Sequence, residues 1–326
     1  MTTLPQPKVL LFDIGGVCVL SPFQAILDYE LAHSIPPGWI NYSISRSKPH
    51  GAWHNLERGT IPLNEAFFTA FSLDLHRPDY WVEFHARQAA AKTPSPPPST
   101  PSSSSSALPS SSSLPSSSSS SSSPSSSPSP TPSPTSSSSS SSPQSTIPPL
   151  PRINTQQLFT NMMTLAQQPD PWMAPALDIL KQSGKYILGA LSNTVVFPEG
   201  HPLHRRLEGQ DAEDHHPLRR RFDVFISSAH VGVRKPEDRM YTLAVEMLDA
   251  FAKDHATTER GIQNGWIAGV KSENILFLDD IGENLKAAKR HGFRTLKVQL
   301  GRTEEAVAEL ERVTGLVLKR AVAAKM

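Results

Sequence analysis

The sequence predicts an α/β protein: a Rossmann-like parallel sheet core that carries an inserted all-helical block. Three observations lead there. A short apolar, β-branched run opens the chain at Val9, and four more such runs fall late, near 185–193, 222–228, 274–280 and 293–298. Helical patterns alternate with the late runs, and buried-type strands alternating with helices form parallel sheets covered on both faces. Between the first and second runs, residues 22–92 carry helical periodicity and no strand pattern. One strand cannot make a domain. The economical reading is therefore a core of 1–20 plus 170–326 and a helical cap insertion of 21–169, interrupted by a disordered tract at 94–151.

Taken in order, the opening run V-L-L-F-D-I-G-G-V-C-V delivers Asp13 into a double glycine, with Cys18 read as still inside the strand. Ser21-Pro22 then supplies an N-cap and a first-turn proline, and Phe23, Ile26, Leu27 and Leu31 share one helical face. Further helices are expected from about Gly38, across 51–60, after Leu63 and over 79–92. From Pro94 to about Pro151 the chain is almost only Ser, Pro and Thr. Such a tract lacks the apolar area to offset chain entropy. A helix over 154–167 follows, then one that stops at Gly184, where glycine suits the left-handed residue closing a helix. Beyond the strand at 185–193 lies a loop, 194–221, rich in His and Arg. The remaining helices are expected after Lys235-Pro236, after Asp280 and from Thr303, with 253–273 read as a polar connection.

Bulk composition narrows the function classes. A net charge of +1 over 326 residues gives no basis for binding nucleic acid or an anionic membrane surface. A single cysteine, Cys18, excludes a disulfide framework and suits a reducing, cytoplasmic compartment. No run reaches transmembrane length, and M-T-T-L-P-Q-P-K shows no apolar leader distinct from the strand. The last residues, Ala324-Lys325-Met326, loosely match a peroxisomal address, with a frayed basic helix end as the simpler reading.

The chemistry gathers at strand ends. Asp13 ends the first strand, Ser192-Asn193 the second, and Asp279-Asp280 the fourth, while Arg234-Lys235-Pro236 follows the third. In an open parallel sheet these ends share one edge, where ligands bind. Adjacent carboxylates repel unless they hold a cation, and oxygen ligands suit Mg²⁺. A nearby ammonium and hydroxyl suit a phosphoryl group, and a carboxylate already there can act as nucleophile. Each motif alone has a plainer reading: Asp13 as a turn residue, Ser192-Asn193 or Asp279-Asp280 as helix caps, Lys235-Pro236 as a helix start. His201, His204, His215 and His216 have no metal-ligand spacing and read as a solvated loop, and Arg219–Arg221 as surface charge. Trp53 and His54 either pack the helical block or face a substrate.

The four motifs in order, F-D-I-G-G-V, L-S-N-T, R-K-P-E and F-L-D-D-I-G-E-N, resemble those of the haloacid dehalogenase-like (HAD) superfamily. More narrowly, F-D-I-G-G-V, V-G-V-R-K-P and F-L-D-D-I-G-E-N-L-K-A-A are similar to the branch that contains the N-terminal phosphatase domain of soluble epoxide hydrolases and the HAD domain of acyl-CoA dehydrogenase fusions. No α/β-hydrolase domain is legible, so epoxide hydrolysis is not implied. The resemblance implies a Mg²⁺-dependent hydrolase of a small phosphorylated metabolite. Asp13 would attack phosphorus and form an aspartyl-phosphate. Ser192 and Asn193 would hold phosphate oxygens, and Lys235 would neutralise charge on both partners. Asp13, Asp280, the Gly15 backbone carbonyl and, in support, Asp279 would hold the metal.

One position departs from that pattern. Phosphatases of this superfamily commonly place a second Asp two residues after the nucleophile, as general acid and base; here Gly15 stands there. Its carbonyl can still ligate a metal, but no side chain can donate a proton, so slow hydrolysis of alkyl phosphates is expected. Two alternatives stay open: a metal-free 2-haloacid dehalogenase, and a catalytically silent HAD scaffold that docks partners.

Overall fold

The computed structural model describes residues 5–92, 147–201, 203 and 217–318. By compactness the chain divides into two units, 1–84 with 149–326, and 85–148. Of the second unit only 85–92, the end of one helix, and 147–148 are described. All that follows concerns the first.

Five parallel strands form one sheet: β1 (Val9–Phe12), β2 (Ile187–Ser192), β3 (Val224–Ser227), β4 (Ile275–Asp279) and β5 (Arg294–Lys297). Their spatial order is β3-β2-β1-β4-β5. The chain steps outward from β1 to β3 and then returns to the other side of β1, which makes the central strand a topological switch point. Phe12 is in register with Ala190 of β2 and Leu278 of β4, so Asp13 lies just beyond the carboxyl end of the sheet's centre. Its amide donates to the Leu278 carbonyl at 2.8 Å, fixing that exit.

Alternation along β1 builds two cores. Leu10 and Phe12 join one cluster, with Leu177, Leu188 and Leu310; Val9 and Leu11 join the other, with Ile187, Tyr241 and Phe277. All four β1 residues are fully buried, as a central strand covered on both faces requires. All four strand pairings are parallel, so the carboxyl ends of the strands share one edge.

Helices α1 (Pro22–Ala32), α2 (Trp39–Arg46), α3 (Ala52–Glu57), α4 (Glu65–Leu75), α5 (Pro78–Lys92) and α6 (Thr155–Leu165) follow β1, with no strand among the described residues between them. Ser21 caps α1, its hydroxyl accepting from Phe23 N, with Pro22 at the first helical position. Asn64 and Asn154 cap α4 and α6 in the same way. These helices share a third core, rich in aromatics: Trp39 meets Trp81 edge-on at 4.8 Å, and Phe67 stacks on Phe71 at 5.4 Å. Helix α7 (Met173–Ser183) then leads into β2, ending at Gly184 with φ +65°. The last elements are α8 (Ser228–Val231), α9 (Asp238–Asp254), α10 (Glu259–Gln263), α11 (Gly282–Arg290) and α12 (Thr303–Thr314).

Three expectations need correction. The first strand closes at Phe12, so Cys18 lies outside it, in a turn where its thiol donates to the Asp13 carbonyl. The 253–273 connection is not wholly irregular: it contains α10 and a short turn of 3₁₀ helix that buries Trp266. The helix is too short to show periodicity. Arg221 is no mere surface charge; its guanidinium pairs with Asp178 at 2.6 Å. The tract at 94–151 lies outside the described residues up to 146, and 147–151 carry no helix or strand. His204, His215, His216 and Ala324-Lys325-Met326 also lie outside them. No helix among the described residues is long and apolar enough to cross a membrane.

Candidate active site

Four separate stretches converge beyond the carboxyl edge of the sheet. Asp13, just past β1, is 6% exposed. Its Oδ1 accepts from the Ile14 amide at 2.6 Å, and its Oδ2 lies 2.8 Å from the Lys235 ammonium. Lys235 is 1% exposed and also reaches Asp279 Oδ2 at 2.8 Å. A buried ammonium must be paired to avoid a large desolvation cost, and here it has two carboxylates. Burial pulls the Lys235 pKa down, but Asp13 and Asp279 outweigh it and hold the ammonium above its ordinary value. For Asp13, burial pushes the carboxyl up against the opposing pull of Lys235, with Asp279 and Asp280 adding to the rise.

Asp279 ends β4 and is fully buried. Besides Lys235, it accepts from the Ile281 amide at 2.7 Å and from Asn284 Nδ2 at 3.1 Å. This carboxylate is saturated by its own protein. Asp280 is different. Its Oδ1 is buried with no hydrogen-bond partner among the described residues. Burial, then the neighbouring Asp279, push its carboxyl up to about 7. Asp13, Asp279 and Asp280 each offer one oxygen, all within 4.8 Å of one another. Like charges so close need a cation or a proton; Lys235 serves Asp13 and Asp279, and together with Asp280 the three carboxylates could hold a hard cation.

Gly16 makes this geometry possible. Its φ is +76°, and a Cβ there would stand 2.7 Å from Asp280 Oδ2, so a side chain would collide with the acidic cluster. Gly15 has no such constraint: a Cβ would meet Pro22 Cδ at 3.4 Å, an ordinary contact.

Ser192 and Asn193 lie where the sequence places them, at the end of β2, but the amide of Asn193 is already engaged. Its Oδ1 accepts from the Lys235 amide at 2.8 Å and its Nδ2 donates to the Lys235 carbonyl at 3.1 Å. Asn193 thus clamps the backbone of the lysine whose ammonium faces Asp13. Ser192 is buried, its hydroxyl directed to the Asn193 carbonyl at 3.4 Å.

A cavity of about 250 Å³ opens beside these groups, lined by Asp13, Gly15, Lys235 and Asp280 and, from the helices, by Phe23 and Trp53. Glu57 of α3 ties the helices to the sheet edge. Its Oε2 accepts from Arg234 Nε at 2.6 Å, its Oε1 from Trp53 Nε1 at 2.9 Å, and its carbonyl from the Ser228 hydroxyl at 2.5 Å. Arg58 pairs with Glu237 beside it. His54 also lines the cavity and is 1% exposed. Burial, then the charges of Arg234, Lys48 and Arg58, depress its pKa to about 3. Glu57, Arg234 and Asn284 were not singled out from sequence, although Arg234 and Asn284 sit inside the quoted motifs. His201 lies in the described part of its loop and joins no acidic or histidine cluster there.

No family model matches the chain. It is 35% identical over 98 residues to bifunctional epoxide hydrolase 2 of Mus musculus, covering 30% of this chain and 14% of that protein. It is 33% identical over 100 residues to acyl-CoA dehydrogenase family member 10 of Mus musculus, covering 31% of this chain and 7% of that protein. The match thus spans about a seventh or less of the length of either relative. Among solved structures, a HAD-like family hydrolase from Porphyromonas gingivalis aligns over 94% of this chain and 99% of its own, at 17% identity and a TM-score of 0.42. A HAD family enzyme from Bacteroides thetaiotaomicron, in complex with magnesium and inorganic phosphate, aligns over 91% and 96%, at 16% and 0.40. A dehalogenase aligns over 98% and 100%, at 14% and 0.44. The chain is an α/β protein with a five-stranded parallel sheet in the order β3-β2-β1-β4-β5, and in its four motifs it resembles the haloacid dehalogenase-like superfamily.

Proposed function

We propose that the protein is a Mg²⁺-dependent hydrolase of small phosphomonoesters, with Asp13 as nucleophile. The observation that carries this reading is one constellation: Asp13 held 2.8 Å from the Lys235 ammonium, beside an Asp280 oxygen with no hydrogen-bond partner among the described residues. The donor set fits a hard cation, since carboxylates of Asp13 and Asp280 and the Gly15 carbonyl are all oxygen ligands. Asp279 would support the set from behind, its own oxygens already bonded to Lys235, Asn284 and Ile281. When bound, Mg²⁺ would offset the charge that an anionic ester brings to two carboxylates.

The chain's own groups do the rest. Ile14 N and Lys235 fix the two oxygens of Asp13, so the carboxylate is aimed before the ester arrives. An Asp13 oxygen bonds to phosphorus as the ester P–O bond breaks, and the electron pair leaves with the alkoxide. Lys235, positioned by the Asn193 clamp, stabilises charge on the transferring phosphoryl group. Water then attacks the aspartyl-phosphate and releases phosphate and free Asp13. Gly15 supplies no proton to the alkoxide, so leaving groups that need protonation depart slowly. The helical layer is read as a cap that closes the cavity and selects the ester, and the protein as cytoplasmic, with a peroxisomal address as the alternative.

Phosphate release from a panel of phosphomonoesters, with Mg²⁺ and with EDTA, tests the reading. Release that requires Mg²⁺ and is abolished by Asp13→Asn supports it. The missing acid at Gly15 favours one second reading, a dehalogenase; halide release from 2-haloacids that is indifferent to EDTA would establish that instead.

A further inference from the structure

Arg234 lines the same cavity as Asp13, yet nothing in the chemistry above uses it. Its side chain is 11% exposed, and its one protein partner among the described residues is Glu57, which takes the Nε edge at 2.6 Å. Glu57 cannot swing away, because its other oxygen accepts from Trp53 Nε1 and its carbonyl from Ser228. The guanidinium is therefore fixed along one edge, and the two Nη groups keep their donors without an acceptor among the described residues. The other cations nearby are spoken for: Lys48 pairs with Glu283, and Arg58 with Glu237. Lys235 pairs with Asp13 and Asp279 and serves the phosphoryl end of the substrate in the reading above.

A rigid arginine with an open two-nitrogen fork matches a carboxylate, which can accept two parallel N–H bonds. A second phosphate would suit the site less. Asp13 and Asp280 already bring negative charge to the lining, and the cavity holds only about 250 Å³. Resting on the hydrolase reading, we infer that the Nη edge of Arg234 anchors a carboxylate on the leaving portion of the substrate, so that the preferred class is small phosphorylated hydroxy acids. Glu57 is a positioning residue in this scheme, orienting the fork from behind.

The test uses two matched probes, 2-phosphoglycolate and ethyl phosphate, which differ by the carboxylate. Binding is measured by calorimetry with Mg²⁺ in the full-length Asp13→Asn protein, which cannot turn them over. The carboxylate probe binds about tenfold tighter or more, as expected for charge-assisted hydrogen bonds. Adding Arg234→Gln erases that preference while ethyl phosphate affinity stays within about twofold. Because Arg234→Gln leaves Glu57 buried and unpaired, the same comparison is made with Arg234→Gln and Glu57→Gln together. Equal affinities for the two probes, no binding of either, or an equal loss of both in the variants would overturn the inference. Turnover by the Asp13-intact enzyme is scored separately with p-nitrophenyl phosphate. Discrimination without any turnover contradicts the hydrolase reading alone; turnover without discrimination contradicts the carboxylate anchor alone.

Discussion

The ammonium of Lys235 lies 2.8 Å from Oδ2 of Asp13, with both side chains buried. The same ammonium is 2.8 Å from Asp279. One cation therefore holds two carboxylates in an apolar sheet edge. Removing it should cost far more than removing a surface charge, because it strands both acids. Lys235→Met is expected to lower unfolding free energy by about 3–5 kcal/mol and to abolish turnover. Urea denaturation reads the first effect. The double variant Lys235→Met/Asp279→Asn should recover part of the stability and none of the activity.

Gly15→Asp should raise the rate on alkyl phosphates by about 10²–10⁴ if the missing proton donor limits departure of the alcohol. Space permits the change, since among the described residues a Cβ at Gly15 meets only Pro22 within 4 Å, at 3.4 and 3.8 Å. Aryl phosphates, whose leaving groups need no proton, should gain much less. Steady-state kinetics on the two ester classes makes the comparison; equal rates on both with no gain from Gly15→Asp would remove Gly15 as the bottleneck.

Magnesium should stabilise the folded protein, because the unpartnered oxygen of Asp280 gains a ligand only in that state. At a hundred times Kd the stabilisation is about 2.7 kcal/mol, visible as a rise in Tm that EDTA reverses. The effect should grow as pH rises through about 7, where Asp280 loses the proton that competes with the metal. Asp280→Asn should abolish the Mg²⁺-dependent rise.

Acid should weaken the fold through His54. Its folded pKa is about 3, against an ordinary 6.5. Between those values the unfolded chain binds more protons than the folded one. The stability that neutral His54 contributes is therefore full above about 6.5 and is lost as pH falls towards 3. In His54→Gln the decline of Tm over that window should be shallower than in the wild type.

Much of this site is legible in the sequence because its chemistry sits in short, contiguous motifs at strand ends. Asp13, Asp279 and Asp280 need only the assumption that parallel strands share an edge; Lys235 lies past β3 and beyond the short helix α8. What was not legible is pairing across the chain. Glu57 and Arg234 meet although 177 residues apart, and no local pattern joins a glutamate in W-H-N-L-E-R-G to an arginine in R-K-P-E. The Asn193 clamp was missed for the same reason, since its partner is the Lys235 backbone, 42 residues on. Five strands emerged from their apolar runs, whereas α10 has five residues, too few to show a period.

The most direct test is the intact mass of the protein, acid-quenched during turnover of an aryl phosphate with Mg²⁺. A covalent adduct of one phosphoryl group should appear on the wild type, map to Asp13, and be absent from Asp13→Asn. An enzyme that releases phosphate with no adduct on Asp13, or that turns over equally well as Asp13→Asn, would contradict the assignment of Asp13 as the nucleophile.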